Sequence, residues 1–186
     1  MAKRATAAAL RMDGEKQFLK LFGTLANSTS TWQAWEDLMA VMACSISNAV
    51  DRTKEKFEKR EAEYEKAIER LGGMETPAEI FALATAELER NPHQDFLGKL
   101  YMALNLGSHW HGQYFTPYHI SDFMAKITIG EGTKDEIAEK GYVSVSDPCV
   151  GAGGMLIAAA NAMRDGASTT RRTPCSSGRT STGLSP

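Results

Sequence analysis

The chain has 186 residues, 42% hydrophobic and 24% charged, which is the make-up of a soluble globular protein with room for one ordinary domain, or a small one plus part of another. A net charge of −2 excludes a global basic field, so contact with nucleic acid would need a locally basic groove or a partner. Cys44, Cys149 and Cys175 are odd in number and widely spaced, giving neither a disulfide framework nor a CxxC zinc pattern. The apolar run Ala7 to Leu10 is too short for a signal sequence, and no stretch approaches the roughly 20 apolar residues that span a bilayer. The expected compartment is a reducing cytoplasm.

Residues 1–12 read as a loose start. Phe18, Leu19, Leu21, Phe22 and Leu25 recur at helical spacing. The polar loop Asn27 to Thr31 ends in a helix N-cap. In the helix that follows, Trp35, Leu38, Met39, Met42, Ile46 and Val50 are expected on one core-facing stripe. Residues 51–70 are charge-rich, with opposite charges at pair spacing such as Lys54 with Glu58. They read as a solvated helix, or as a surface for DNA or a partner subunit, and Gly72-Gly73 closes it as a C-cap. Thr76-Pro77-Ala78-Glu79 predicts a helix start with Thr76 as N-cap. That helix runs to Arg90, Asn91-Pro92 interrupts it, and another follows from Asp95 to Leu106. The first 107 residues are thus expected to be helical throughout.

The pattern changes at Gly107. An aromatic, polar loop leads to Thr116-Pro117, which opens a helix through Ile120, Phe123, Met124 and Ile127. One or two helical turns are expected over Lys134 to Lys140. Tyr142 to Ser146 then reads as the first convincing strand. It meets Asp147-Pro148-Cys149-Val150-Gly151-Ala152-Gly153-Gly154, and an Ala-rich apolar segment continues to Met163. Glycines let the backbone turn with positive φ and let a ligand approach without a Cβ in the way. The helix after them offers unpaired N–H groups and a positive dipole end. A phosphate-binding P-loop would need Gly-Lys-Ser/Thr, but Met155 follows Gly154. A dinucleotide fingerprint would need a further glycine. An S-adenosylmethionine site is the remaining use, and a tight turn with no ligand is the structural alternative. Cys149 is expected to be a small apolar filler rather than a metal ligand with His109, His111 and His119.

Gly112-Gln113-Tyr114-Phe115-Thr116-Pro117, some 30 residues before DPCVGAGG, resembles a family pattern. The N6-adenine DNA methyltransferases of type I restriction–modification systems, and their solitary relatives, carry GQ(Y/F)(F/Y)TP upstream of DPxxGxGG. The resemblance implies a helical domain over 1–107 and the start of a Rossmann-like, S-adenosylmethionine-dependent methyltransferase domain over 108–165, an α plus α/β organisation. It implies cofactor binding by Gln113, Tyr114, Phe115, Thr116 and Pro117, and by Asp147, Pro148, Gly151, Gly153 and Gly154. Thr116 would offer a hydroxyl, and its helix N–H groups, to the cofactor's carboxylate. Tyr114 and Phe115 would wall the sulfonium or adenine, and Asp147 would receive the ammonium. Double-stranded DNA and a specificity subunit are the implied partners, with no metal and no membrane.

Two family features are missing. There is no acidic ribose-binding segment after a second strand, and no (N/D)PP(Y/F) motif to hold a flipped adenine. The sole Asn-Pro, Asn91-Pro92, precedes His93. Residues 166–186 are polar, aperiodic and basic, read either as a disordered tail or as the product of a shifted reading frame. The expectation is therefore a truncated chain with cofactor motifs and no catalytic residue, inactive by itself. A helical module that contacts DNA or a protein through residues 51–70 is the alternative.

Overall fold

The computed structural model describes residues 14–27, 29–106 and 115–170. Eight helices occur among them: α1 Gly14–Leu25, α2 Thr31–Val50, α3 Lys54–Arg70, α4 Glu75–Arg90, α5 Phe96–Ala103, α6 Tyr118–Thr128, α7 Glu131–Lys140 and α8 Gly154–Thr170.

The core is built where helical periodicity lines up large apolar side chains. Phe18, Phe22, Leu38, Ile80, Phe96 and Leu100 are almost wholly buried where α1, α2, α4 and α5 meet. Each contributes about 1.5–3 kcal/mol by leaving water. Phe18 meets Phe96 edge-on at 5.9 Å, and Phe22 meets Trp35 edge-on at 5.8 Å, geometries that aromatic quadrupoles favour.

Helix α3 lies along α2. Only Ala67 of α3 is buried, so electrostatics fix its position as much as packing does. Arg70 grips the buried Asp37 of α2 with Nε, 3.1 and 2.9 Å from the two carboxylate oxygens. Arg60 Nε donates to Asn48 Oδ1 at 2.7 Å. Lys54 and Glu58 pair at 3.9 Å as their spacing predicted. The Gly73 N–H donates to the Ile68 carbonyl at 3.0 Å, closing α3 in the manner expected of a glycine C-cap.

Three local expectations are corrected. The buried face of α2 turns from Trp35, Leu38 and Met42 toward Asp37, Val41 and Cys44, leaving Ile46 and Val50 56% and 81% exposed. The cause is a second neighbour: packing on α3 draws the interface around the helix. The N-cap of α2 is Ser30, whose Oγ accepts from the Gln33 N–H at 3.1 Å. Helix α4 starts at Glu75, not after Thr76, with the Met74 carbonyl accepting from the Ala78 N–H at 2.9 Å. Pro77 is tolerated there because first-turn N–H groups have no helical acceptor.

The larger correction concerns fold class. The expected α/β opening, a strand at Tyr142 to Ser146 beginning a Rossmann-like sheet, is not formed: the described residues contain helices and no strand. Tyr142 is 66% and Val145 44% exposed. A strand is defined by a hydrogen-bonded neighbour, and no other described segment lies alongside in a ladder. The alternating sequence pattern is present, but its partner is not. Helices α6 and α8 instead pack on each other.

Candidate functional site

The glycine loop is built from two successive turns. The Cys149 N–H donates to Asp147 Oδ1 at 2.9 Å, so Asp147 holds an Asx turn around Pro148. The Gly153 N–H then donates to the Val150 carbonyl at 2.7 Å. Gly151 and Gly153 have φ of +51° and +82°, a region that costs an L-residue about 1–2 kcal/mol. The Gly153 carbonyl accepts from the Ile157 N–H at 2.9 Å, and α8 begins at Gly154.

Two sequence motifs meet here through one side chain. A Cβ on Gly151 would lie 3.3 Å from Phe115 Cδ1, so the ring covers the loop where no side chain intervenes. Phe115 also packs against Tyr101 of α5, centroids 5.0 Å apart. Thr116 follows, and Pro117 is the N-cap of α6. Gln113 and Tyr114 lie outside the described residues, as do His109 and His111.

Phe115, Thr116 and Asp95 border two cavities. The larger, about 610 Å³, is flanked by His93, Lys99 and Tyr118. The smaller, about 80 Å³, lies between Ser121, Gly151 and Gly154. Asp147 and Pro148 line neither. Asp147 thus stands in the loop as a turn-former.

The sequence marks Asp95 only as a helix start, and Ser121 and Asn161 carry no sequence signal as site residues. Asp95 caps α5, with Oδ1 accepting from the Gly98 N–H at 2.8 Å. It is 6% exposed, and burial pushes its carboxyl above the usual range, opposed by the Gly98 bond and by Lys99. Asp-x-x-Gly is the readable trace of this cap, because a side chain at Gly98 would clash with the carboxylate. Asn161 anchors α8: its Nδ2 donates to the Pro92 carbonyl at 2.7 Å and to Tyr118 Oη at 2.9 Å. The Asn91-Pro92 break therefore serves as an attachment point for the helix that follows the loop.

A glycine turn opening a 17-residue helix, faced by a buried carboxylate and by hydroxyls, is suited to the polar end of a small cofactor. The family model for N-6 DNA Methylase matches residues 93–175, a span that holds both cavities' principal walls. The match supports the N6 DNA methyltransferase family for this part of the chain, and with it methyltransferase chemistry and DNA methylation. No curated protein and no solved structure matches the chain. Among the described residues no three metal-ligating side chains cluster, and no helix is long and apolar enough to cross a membrane.

Proposed function

We propose that residues 93–175 form the cofactor-binding part of an S-adenosylmethionine-dependent methyltransferase of the type I restriction–modification or solitary kind, whose acceptor is the N6 amino group of adenine in DNA. The observation that carries this is the contact of Phe115 with Gly151, which unites GQYFTP with DPCVGAGG around one set of cavities. Phe115 and Thr116 border the smaller cavity on one side and Gly151 and Gly154 on the other, and Gln113, Tyr114, Pro117 and Gly153 complete the two cofactor motifs. Asp147 and Pro148 shape the turn between them. No residue is assigned the transfer step, because no (N/D)PP(Y/F) segment is present in the sequence.

Calorimetric titration with S-adenosylmethionine and S-adenosylhomocysteine, against ATP as control, tests the cofactor. Saturable binding of both adenosyl compounds, with ATP silent, is expected. Failure of either to bind, or equal binding of ATP, would reject the reading. After incubation with duplex DNA and cofactor, mass spectrometry is expected to find no N6-methyladenine.

A second reading, a helical module that contacts DNA or a specificity subunit, draws on one observation: the α2–α3 hairpin leaves Ile46, Val50 and most of α3 exposed. Pulldown with a specificity subunit, with and without Val50→Asp, decides it.

A further inference from the structure

Ser121 is fully buried, and its Oγ has no hydrogen-bond partner. Buried hydroxyls are almost always satisfied, so such an orphan calls for a ligand. It borders the 80 Å³ cavity together with Asp95, Thr116 and the first residues of α8. A Cβ on Gly154 would stand 3.5 Å from Asp95 Oδ2 and 3.7 Å from Ser121 Oγ, so the bare glycine leaves the space before both oxygens open. Asp95 Oδ1 is already held by Gly98, which fixes the direction of Oδ2.

The cavity therefore offers opposite charges at close quarters. Asp95 supplies a carboxylate, and α8 supplies the positive end of a long helix whose first N–H groups lack intrahelical acceptors. A phosphate would suit α8 but meet Asp95, and a simple amine would suit Asp95 but meet α8. A species carrying both charges suits both. The volume, about that of two or three waters, matches one α-amino-carboxylate headgroup.

Resting on the cofactor reading above, we propose that Asp95, Ser121 and the N-terminus of α8 form the subsite for the zwitterionic amino-acid end of the cofactor. Asp95 Oδ2 takes the ammonium, and Ser121 Oγ and the α8 N–H groups take the carboxylate. This gives Asp95 the role that the strand-end position of Asp147 had suggested for that residue. The incoming ammonium also offsets the burial that raises the Asp95 carboxyl.

The test titrates the full chain with S-adenosylhomocysteine, which has the headgroup, and with 5′-methylthioadenosine, which does not. Asp95→Asn keeps an N-capping side chain, so helicity by circular dichroism should be unchanged. It is expected to weaken S-adenosylhomocysteine at least about tenfold, the scale of one charge-assisted hydrogen bond, while methylthioadenosine is unaffected. Asp147→Asn keeps the acceptor of the Asx turn and should leave both ligands unchanged. Ser121→Ala should weaken S-adenosylhomocysteine without lowering the melting temperature of the free chain, because no internal bond is lost. Unchanged S-adenosylhomocysteine affinity in Asp95→Asn, or a headgroup-specific loss confined to Asp147→Asn, overturns the assignment while the cofactor reading stands. If neither ligand binds the unsubstituted chain, the cofactor reading fails and this inference with it.

Discussion

Replacing Arg70 by methionine measures what holds the charge-rich helix on the bundle. Asp37 is 2% exposed, and besides the two Nε contacts it accepts from Arg70 Nη2 at 2.5 Å and from Gln33 Nε2 at 3.2 Å. The Arg70 side chain is 50% exposed, so the two ends of the pair are unequal. Removing Arg70 strands a buried carboxylate with Gln33 as its remaining side-chain donor. Breaking a buried pair this way costs about 3–5 kcal/mol, and the surviving Gln33 bond lowers the expectation to about 2–3 kcal/mol. Asp37→Asn leaves a neutral amide in the same space and frees an arginine that already reaches water, so about 1 kcal/mol is expected. Urea unfolding followed by circular dichroism gives both values. The larger change corresponds to a melting shift of roughly 4–12 °C. Joint replacement, Arg70→Met with Asp37→Leu, should recover most of the loss, since an apolar pair of similar volume removes the stranded charge. If Asp37→Asn costs as much as Arg70→Met, the unequal burial of the two groups does not govern the pair.

Four further outcomes are expected. Gly153→Ala should strain the loop by about 1–2 kcal/mol, with open space around the new methyl. Gly151→Ala should add a push on Phe115 to the same strain, visible as a larger NMR shift at the Tyr101 and Phe115 rings than Gly153→Ala produces. Gly23→Ala, at an exposed helical position with nothing within 4 Å, should stabilise the chain by about 0.5–1 kcal/mol, read from the urea midpoint. Asp51 is held below its ordinary value of 3.8 by the Thr53 hydroxyl and N–H and then by Arg60. Its contribution is therefore present above that value and lost as the pH falls through the lower folded-state value. An acid titration of stability should accordingly be shallower for Asp51→Asn.

The helices were legible because their cause is local. Phe18, Phe22, Trp35, Leu38, Ile80 and Phe96 announce their burial by spacing alone, and all prove to be core. Boundaries were less legible: Thr76-Pro77 has the chemistry of a start, yet α4 begins before it because first-turn geometry accepts Pro77 at more than one position. Tyr142 to Ser146 has a strand's composition, but pairing is a property of two segments and cannot be read from one. The glycine loop was visible through its backbone demands at Gly151 and Gly153. Asp95 and Ser121 were not, since their significance comes from α5, α6 and α8 converging, and no spacing within any one helix records that.

Phe115 has one consequence beyond shaping the site. Its ring lies beside Gly151 and packs against Tyr101, and Tyr101 packs on Trp35 inside the bundle at 6.0 Å. A chain of rings thus runs from the glycine loop to the aromatic centre. Among the described residues no sheet supports that loop, so its rigidity derives from this contact and from the anchoring of α8. Amide exchange at Gly151 and Gly153 should then report opening of α5 and its neighbours rather than local fraying. Mutations deep in the bundle, such as at Phe96, would loosen the glycine loop without touching it. The helical bundle in this view serves as the thermal fuse of the loop: when its aromatic centre opens, the glycine turns go with it.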